Sequence, residues 1–122
     1  MNKINPIRET DDEAIKLAGS LICNAMHGVL AAHDPASPHP HLSRVQLSTS
    51  SHGNLVTLIS SLSGHTKCLM ANPVCSILIG EPGKGDPLAH PRISVPLLAQ
   101  PVERQSPEHD QLRASHLRHY PK

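Results

Sequence analysis

The sequence LVTLISSLSGHTKCLMANPVCSILIG, residues 55–80, contains two short apolar runs joined by a polar connection. Each run, LVTLIS and VCSILIG, has the length of a buried strand. The connection opens with Ser and Gly residues, continues with residues that tolerate a helix, and stops at Asn72-Pro73. This order predicts a strand, a short helix and a second strand, with the helix beginning at Ser63-Gly64-His65-Thr66.

The predicted start of this helix is a candidate anion site. Unpaired backbone N–H groups and the positive end of the helix dipole favour a phosphate at such a position. Side-chain donors add to it, namely Ser61, Ser63, His65, Thr66 and Lys67. On spacing alone, an ordinary serine-rich connection is an equally good interpretation.

The composition limits the classes of function. A chain of 122 residues is expected to form one domain, and its formal net charge of +1 does not suggest a nucleic-acid partner. The sequence has no Phe or Trp and one Tyr, so a base-stacking surface is not expected. It lacks a run of membrane-spanning length. Three widely spaced cysteines favour reduced thiols in a cytoplasmic protein, and we expect all three to be unpaired and mostly buried.

The remaining segments complete a mainly β chain with flanking helices. Residues 1–10 are interpreted as a loose arm, although Thr10 and Glu13 form a capping box for a helix from about Asp11 to Met26. Alternation and turn signals predict five strands, at residues 28–33, from 42 onwards, 55–61, 74–80 and 92–102, with a hairpin turn at residues 51–54. Ser106-Pro107 opens a final helix to about Tyr120. Strands at meander spacing predict one small antiparallel barrel across residues 1–122.

Four blocks of sequence are similar to those of the pyridoxamine 5'-phosphate oxidase-like FMN-binding split barrels, in particular the branch associated with haem utilisation. The blocks are Ser43-Arg44-Val45, SSLSGHTK (60–67), NPVCS (72–76) and GDPLAHPR (85–92). Together they span most of the chain. The resemblance implies a Greek-key-like split barrel that forms a homodimer, with FMN held between the subunits.

The resemblance also implies a role for particular residues in binding FMN. Arg44 and Val45 would lie along the flavin, Ser60 and Ser61 would contact its ring or ribityl chain, His65 and Thr66 would hold the phosphate, and Arg92 would approach from a later strand. Members of the family usually continue beyond the point that corresponds to Lys122, so a C-terminally shortened domain is expected. The catalytic residues and the substrate cannot be named.

Three functions are therefore compared. An FMN-dependent oxidoreductase is favoured. The alternatives are a haem-binding or haem-utilisation protein of the same fold, and a dimeric interaction module without a cofactor. No metal site is expected, because His39 and His41 are interpreted as part of a solvated loop. The histidines at 109, 116 and 119 could bind haem iron, but a polar helix face is the simpler interpretation.

Overall fold

The computed structural model describes residues 11–102 and 106–119, apart from the side chains of residues 109 and 115–119. The expected loose arm, Thr10 of the capping box and Tyr120 lie outside these residues. The elements follow in this order: α1 Asp12–Cys23, β1 His27–Ala32, β2 His41–Gln46, β3 Ser48–Thr49, β4 Leu55–Val56, α2 Gly64–Ala71, β5 Val74–Ile79, a 3-10 turn Pro87–Ala89, β6 Ile93–Leu98 and α3 Pro107–His119.

Every described strand pair is antiparallel. Four strands form one sheet in the order β2-β1-β5-β6, and β3 pairs with β4 in a separate hairpin. Val29 on β1 lies between Arg44 on β2 and Leu78 on β5, so β1 is paired along both edges. The antiparallel, β-rich architecture with flanking helices is confirmed. The strand order in the sheet departs from the order in the sequence, because β1 pairs with β5, which is distant in sequence.

One face of the sheet carries the core. Alternate residues of β1 and β5 are buried, together with Val45 on β2, because side chains along a strand point to opposite faces. The core cluster contains Ala25, Leu30, Val45, Leu47, Cys75, Ile77 and Ile79. Leu47 has the most completely buried large side chain of the described residues, at 1% exposure, and its backbone N–H donates to Met26 O at 2.8 Å. This bond joins the end of β2 to the segment that enters β1.

The opposite face of the sheet is apolar but uncovered by the described elements. Leu42, Val74, Leu78 and Leu98 on this face are all exposed, and Leu98 retains 73% of its accessible surface. The strand register places Ala31 and Ser76 between the larger side chains. We refer to this surface, residues 29, 31, 42, 44, 74, 76, 78, 94, 96 and 98, as the outer face.

Helix α1 begins and ends differently from the sequence prediction. Asp11 is its N-cap, because the Asp11 carboxylate accepts a hydrogen bond from Ala14 N at 2.8 Å. The helix ends at Cys23 instead of Met26, and the N–H of Asn24 closes the last turn on Ser20 O. The residues that follow lead into β1, and Ala25 is buried in the core.

The strand after the hairpin turn is shorter than predicted. The turn itself is confirmed, since Ser50 N donates to Asn54 O at 2.8 Å and Gly53 has a φ of 82°. Regular pairing then stops at Val56, whereas the sequence predicted a strand to residue 61. Strand β6 is also shorter than predicted. It is an edge strand, which is where a residue without an N–H such as Pro96 is tolerated.

The cysteines are free, as expected, but only two of them are buried. Cys68 on α2 and Cys75 on β5 are buried, whereas Cys23 at the end of α1 is exposed. The prediction that Cys23 is buried is wrong, since Leu21 and Ile22 pack against the core whereas Cys23, at the end of α1, does not.

Replacing Leu47 with Ala should lower the free energy of unfolding by about 2–5 kcal/mol, because the change leaves a cavity in a closely packed core. Leu62→Ala is the matched control, since Leu62 is 84% exposed. Urea denaturation of both variants tests the prediction. Equal midpoints for the two variants would show that Leu47 is not part of a packed core.

Candidate functional site

The first turn of α2 is shaped by two hydroxyl groups that bind one carbonyl. Ser63 is the N-cap residue with an extended backbone, but its side chain does not cap the helix. Its hydroxyl instead donates to Ser60 O at 2.9 Å, and the Thr66 hydroxyl donates to the same oxygen. The two hydroxyl oxygens also lie 2.8 Å apart. Because their hydrogens are used within this turn, the groups left to face an anion are backbone N–H groups and cationic side chains.

A small cleft of about 220 Å³ lies between β2, an edge strand, and the segment that leads to α2. Arg44 borders it from β2, and His65 borders it from α2. The other lining residues are Val45, Gln46, Thr57, Leu58, Ile59, Ser60 and Ser63. Arg44 is on the outer face side of β2, so the cleft extends around the edge of the sheet. Ligand pockets usually enclose about 300–1,000 Å³, so this cleft alone is small.

The His65 imidazole is held in its neutral form. Burial lowers the pKa of His65 from the ordinary imidazole value of 6.5, and the neighbouring His41 lowers it further. The Nε2 atom of His65 is buried without a hydrogen-bond partner among the described residues. At neutral pH His65 is therefore an uncharged group, and Arg44 is the cationic side chain that lines the cleft.

A much larger groove of about 1690 Å³ opens over the core on the inner side of the sheet. Its wall is mainly aliphatic, with contributions from Leu30, Val45, Leu47, Leu55, Leu69, Ile77 and Leu97. Helix α3 borders it through Leu112 and Ala114, while His52 and Met70 contribute an imidazole and a thioether. Val45 and Thr57–Ser60 line both the groove and the small cleft, so the two spaces share a wall.

The structure brings together six of the seven residues predicted to bind the cofactor. Arg44, Val45, Ser60 and His65 line the small cleft, and Val45, Ser60, Ser61 and Thr66 line the groove. Val45 is buried in the core.

Arg92 is the exception among the predicted residues. Its guanidinium donates to Leu88 O at 3.1 Å and to His90 O at 3.4 Å, and it lines neither space. These bonds fold the side chain back onto the loop before β6.

Three polar residues on β2 and on the segment that leads to α2 were not predicted as site residues. His41 begins β2 and is half-buried, contrary to the prediction of a solvated loop. His41 Nδ1, Ser43 Oγ and Thr57 Oγ1 are buried without a hydrogen-bond partner in the described part of the chain. A strand that begins at His41 places His41, Ser43 and Val45 on one face. The alternation along β2 could therefore have identified His41 and Ser43, but not Thr57.

The described residues offer neither a metal cluster nor a membrane-spanning helix. Within residues 11–102 and 106–119, no group of three or more His, Cys, Asp or Glu side chains could hold a metal ion. None of the helices over these residues has the length and apolar character needed to cross a membrane.

The antiparallel sheet, the separate hairpin and the flanking helices are those of a split-barrel protein, as comparison with solved structures shows. One solved structure is 35% identical, with a TM-score of 0.82, and the match covers 93% of this chain and 74% of the other. This chain belongs to the same family as that protein, and the predicted split barrel-like fold is confirmed. No family model matches the chain, and no curated protein matches it.

Two of the similar structures are haem proteins. A heme binding protein from Mycobacterium smegmatis is 27% identical with a TM-score of 0.73, and the match covers 92% of this chain but only 44% of that protein. HutZ, the heme storage protein from Vibrio cholerae, is 25% identical with a TM-score of 0.73, and the match covers 89% of this chain and 75% of HutZ. Haem proteins of the haem-utilisation branch are thus among the structures this chain is similar to.

Proposed function

We propose that this chain binds haem as a split-barrel protein of haem utilisation. The observation that carries the proposal is the wide aliphatic groove over the core, with His52 and Met70 on its wall. The similarity to a haem-binding and a haem-storage protein supports it. The proposal replaces the FMN oxidoreductase that the sequence favoured as the first candidate.

The groove fits the chemistry of haem. The porphyrin requires an apolar surface, which the aliphatic wall provides, and the iron requires an axial ligand such as imidazole or thioether. His52 lies at the hairpin turn and is exposed, so its imidazole can reach a ligand without disturbing the core. The two propionates of haem are anions, and Arg44 in the adjoining cleft is placed to pair with one. When bound, haem would supply redox-active iron.

Titration of haemin into the full chain should give a Soret band that saturates at one haem per chain. His52→Ala should weaken binding by about tenfold or more, since every 1.4 kcal/mol of lost ligation is a factor of ten. Met70→Leu should change the position of the band, because Met70 would offer its thioether to the iron. His33→Ala is the control, because exposed His33 lines neither the groove nor the cleft.

The outcomes separate haem binding from the choice of ligand. A parent protein without a saturable Soret band would refute haem binding. The Soret band could stay normal in His52→Ala but be lost when His109, His116 and His119 are all replaced. That result would assign the iron ligand to a histidine of α3.

FMN is the second candidate cofactor, and the cleft beside the first turn of α2 is the observation that favours it. The proposed FMN site consists of the predicted residues Arg44, Val45, Ser60, Ser61, His65, Thr66 and Arg92. Arg44 and the N–H groups of α2 suit a phosphate. Thr66 and Arg92 would have to exchange their present bonds to carbonyl oxygens for bonds to the flavin.

If FMN binds here, Arg44→Ala should weaken binding by roughly 2 kcal/mol, the scale of a charge-assisted hydrogen bond. Arg92→Ala should have a smaller effect, because Arg92 is turned onto Leu88 O and His90 O. Quenching of FMN fluorescence measures both affinities. Absence of binding by the parent, or equal affinities for the parent and Arg44→Ala, would exclude this site.

The proposed assembly is a homodimer that packs through the outer face and holds the cofactor beside the interface. Four strands about 4.8 Å apart, each of six residues at about 3.3 Å, make a face of roughly 19 by 20 Å. A stable interface buries about 800 Å² per partner, so the outer face would supply about half and neighbouring loops the rest. Arg44 belongs to both this face and the cleft, so a second copy would enclose the cleft.

The free cysteines fit a cytoplasmic location, which forms part of the proposal.

Leu78→Lys should convert the dimer to a monomer, because it places a charge at the centre of the outer face. Leu62→Lys is the matched control, since Leu62 is equally apolar and lies outside that face. Light scattering at micromolar concentration gives the mass of each. A parent that is already a monomer would contradict the assembly, and a dimer without either cofactor would favour the interaction module.

A further inference from the structure

Two histidines lie on facing surfaces of β2 and α2. The ring of His41 packs beneath the first residue of α2, so closely that a Cβ on Gly64 would lie 3.0 Å from His41 Nε2. His65 follows directly in the chain, and the two imidazoles interact electrostatically. Gly64 therefore permits an approach of α2 to β2 in which one imidazole lies next to another.

Each imidazole has a buried nitrogen without a partner. His41 Nδ1 and His65 Nε2 are both enclosed and make no hydrogen bond to the described residues. A neutral imidazole has one acceptor nitrogen, which can remain unpaired at moderate cost. Protonation turns both nitrogens into N–H donors, and a buried donor without an acceptor is unfavourable.

The helix and the two strands that contain or contact the pair carry no carboxylate. Helix α2 packs against β1 and β2. The titratable and charged side chains within these three elements are His27 on β1, His41 and Arg44 on β2, and His65, Lys67 and Cys68 on α2. None of them is a carboxylate. Glu81 lies 3.3 Å from His27, at the end of β1 that is remote from His41. Asp34 lies in the loop between β1 and β2, where its carboxylate accepts a hydrogen bond from Ala36 N at 2.9 Å. Acid therefore adds positive charge to a helix and two strands that carry no carboxylate of their own.

We propose that the His41–His65 pair is an acid-sensitive contact that holds the first turn of α2 against β2 near neutral pH and releases it in mild acid. Release would expose Cys68 and widen the cleft that Arg44 and His65 line. The proposal does not depend on haem or FMN, because the contact is formed entirely by side chains of this protein.

The direction of the pH effect follows from the linkage between protonation and structure. The pKa of His65 is lowered in the folded protein, so the open or unfolded form binds more protons. The contact between His41 and His65 is therefore fully formed when the pH is above 6.5, the ordinary imidazole pKa. It weakens as the pH falls below that value.

Hydrogen exchange of the cofactor-free chain tests the proposal. After correction for intrinsic rates, the α2 amides should lose protection by about tenfold or more between about pH 7.5 and about pH 5. The amides of β5, which is paired along both edges, should keep theirs. In His41→Gln the loss in α2 should be smaller than in the parent, because repulsion from His41 no longer adds to burial in lowering the pKa of His65. His33→Gln, at an exposed site outside the cleft and the groove, should behave as the parent.

Hydrogen exchange of the parent protein alone can refute the proposal. Constant protection of α2 down to about pH 5, or loss of protection in α2 and β5 together, would rule out a local acid-sensitive contact. If His41→Gln does not fold at neutral pH, His41→Phe retains the ring without its charge and replaces it. The proposal also fails if the His41 variant and the His33 variant lose α2 protection equally.

Discussion

The pairing of β1 along both edges is the constraint on which the remaining structure depends. β1 joins β2 on one side and β5 on the other, so the three strands place their alternate residues on one common core face. Gly28 on β1 permits this packing, because a Cβ there would lie 2.7 Å from Ile77 Cγ2 and 2.9 Å from Leu78 O. With β1 fixed, β2 becomes an edge strand, and the cleft forms at its free edge.

Local features of the fold could be predicted from the sequence, whereas contacts distant in sequence could not. The hairpin turn before Leu55, the start of α2 at Ser63 and the start of α3 at Pro107 each depend on a few adjacent residues, and all three predictions are confirmed. The β1–β5 pairing joins segments more than forty residues apart, and no adjacent pattern specifies it. The early end of α1, and with it the exposure of Cys23, accompanies contacts distant in sequence, because Ala25 is buried in the core and Met26 O accepts a hydrogen bond from Leu47 N.

The site was predictable to the extent that it consists of neighbouring residues. Ser60, Ser61, His65 and Thr66 lie within one turn and its helix, and the resemblance to flavin-binding proteins placed Arg44 beside them. Arg92 could not be placed, because its position depends on whether its guanidinium binds the ligand or the carbonyl oxygens of its own loop. The groove could not be predicted either, since its wall is assembled from strands and helices that are far apart in the sequence.

The same distribution of charge governs ligand preference and the response to acid. Around α2 the cations are Arg44 and Lys67, no carboxylate lies within β1, β2 or α2, and the unpaired N–H groups add positive potential. Both candidate cofactors carry anionic groups, the propionates of haem and the phosphate of FMN, and either would place negative charge where the chain has none. A bound anion would lower the free-energy cost of protonating His65. A bound ligand and acid should therefore have opposite effects on the first turn of α2. Occupancy of the cleft would then hold the first turn of α2 closed at a pH at which the cofactor-free chain opens.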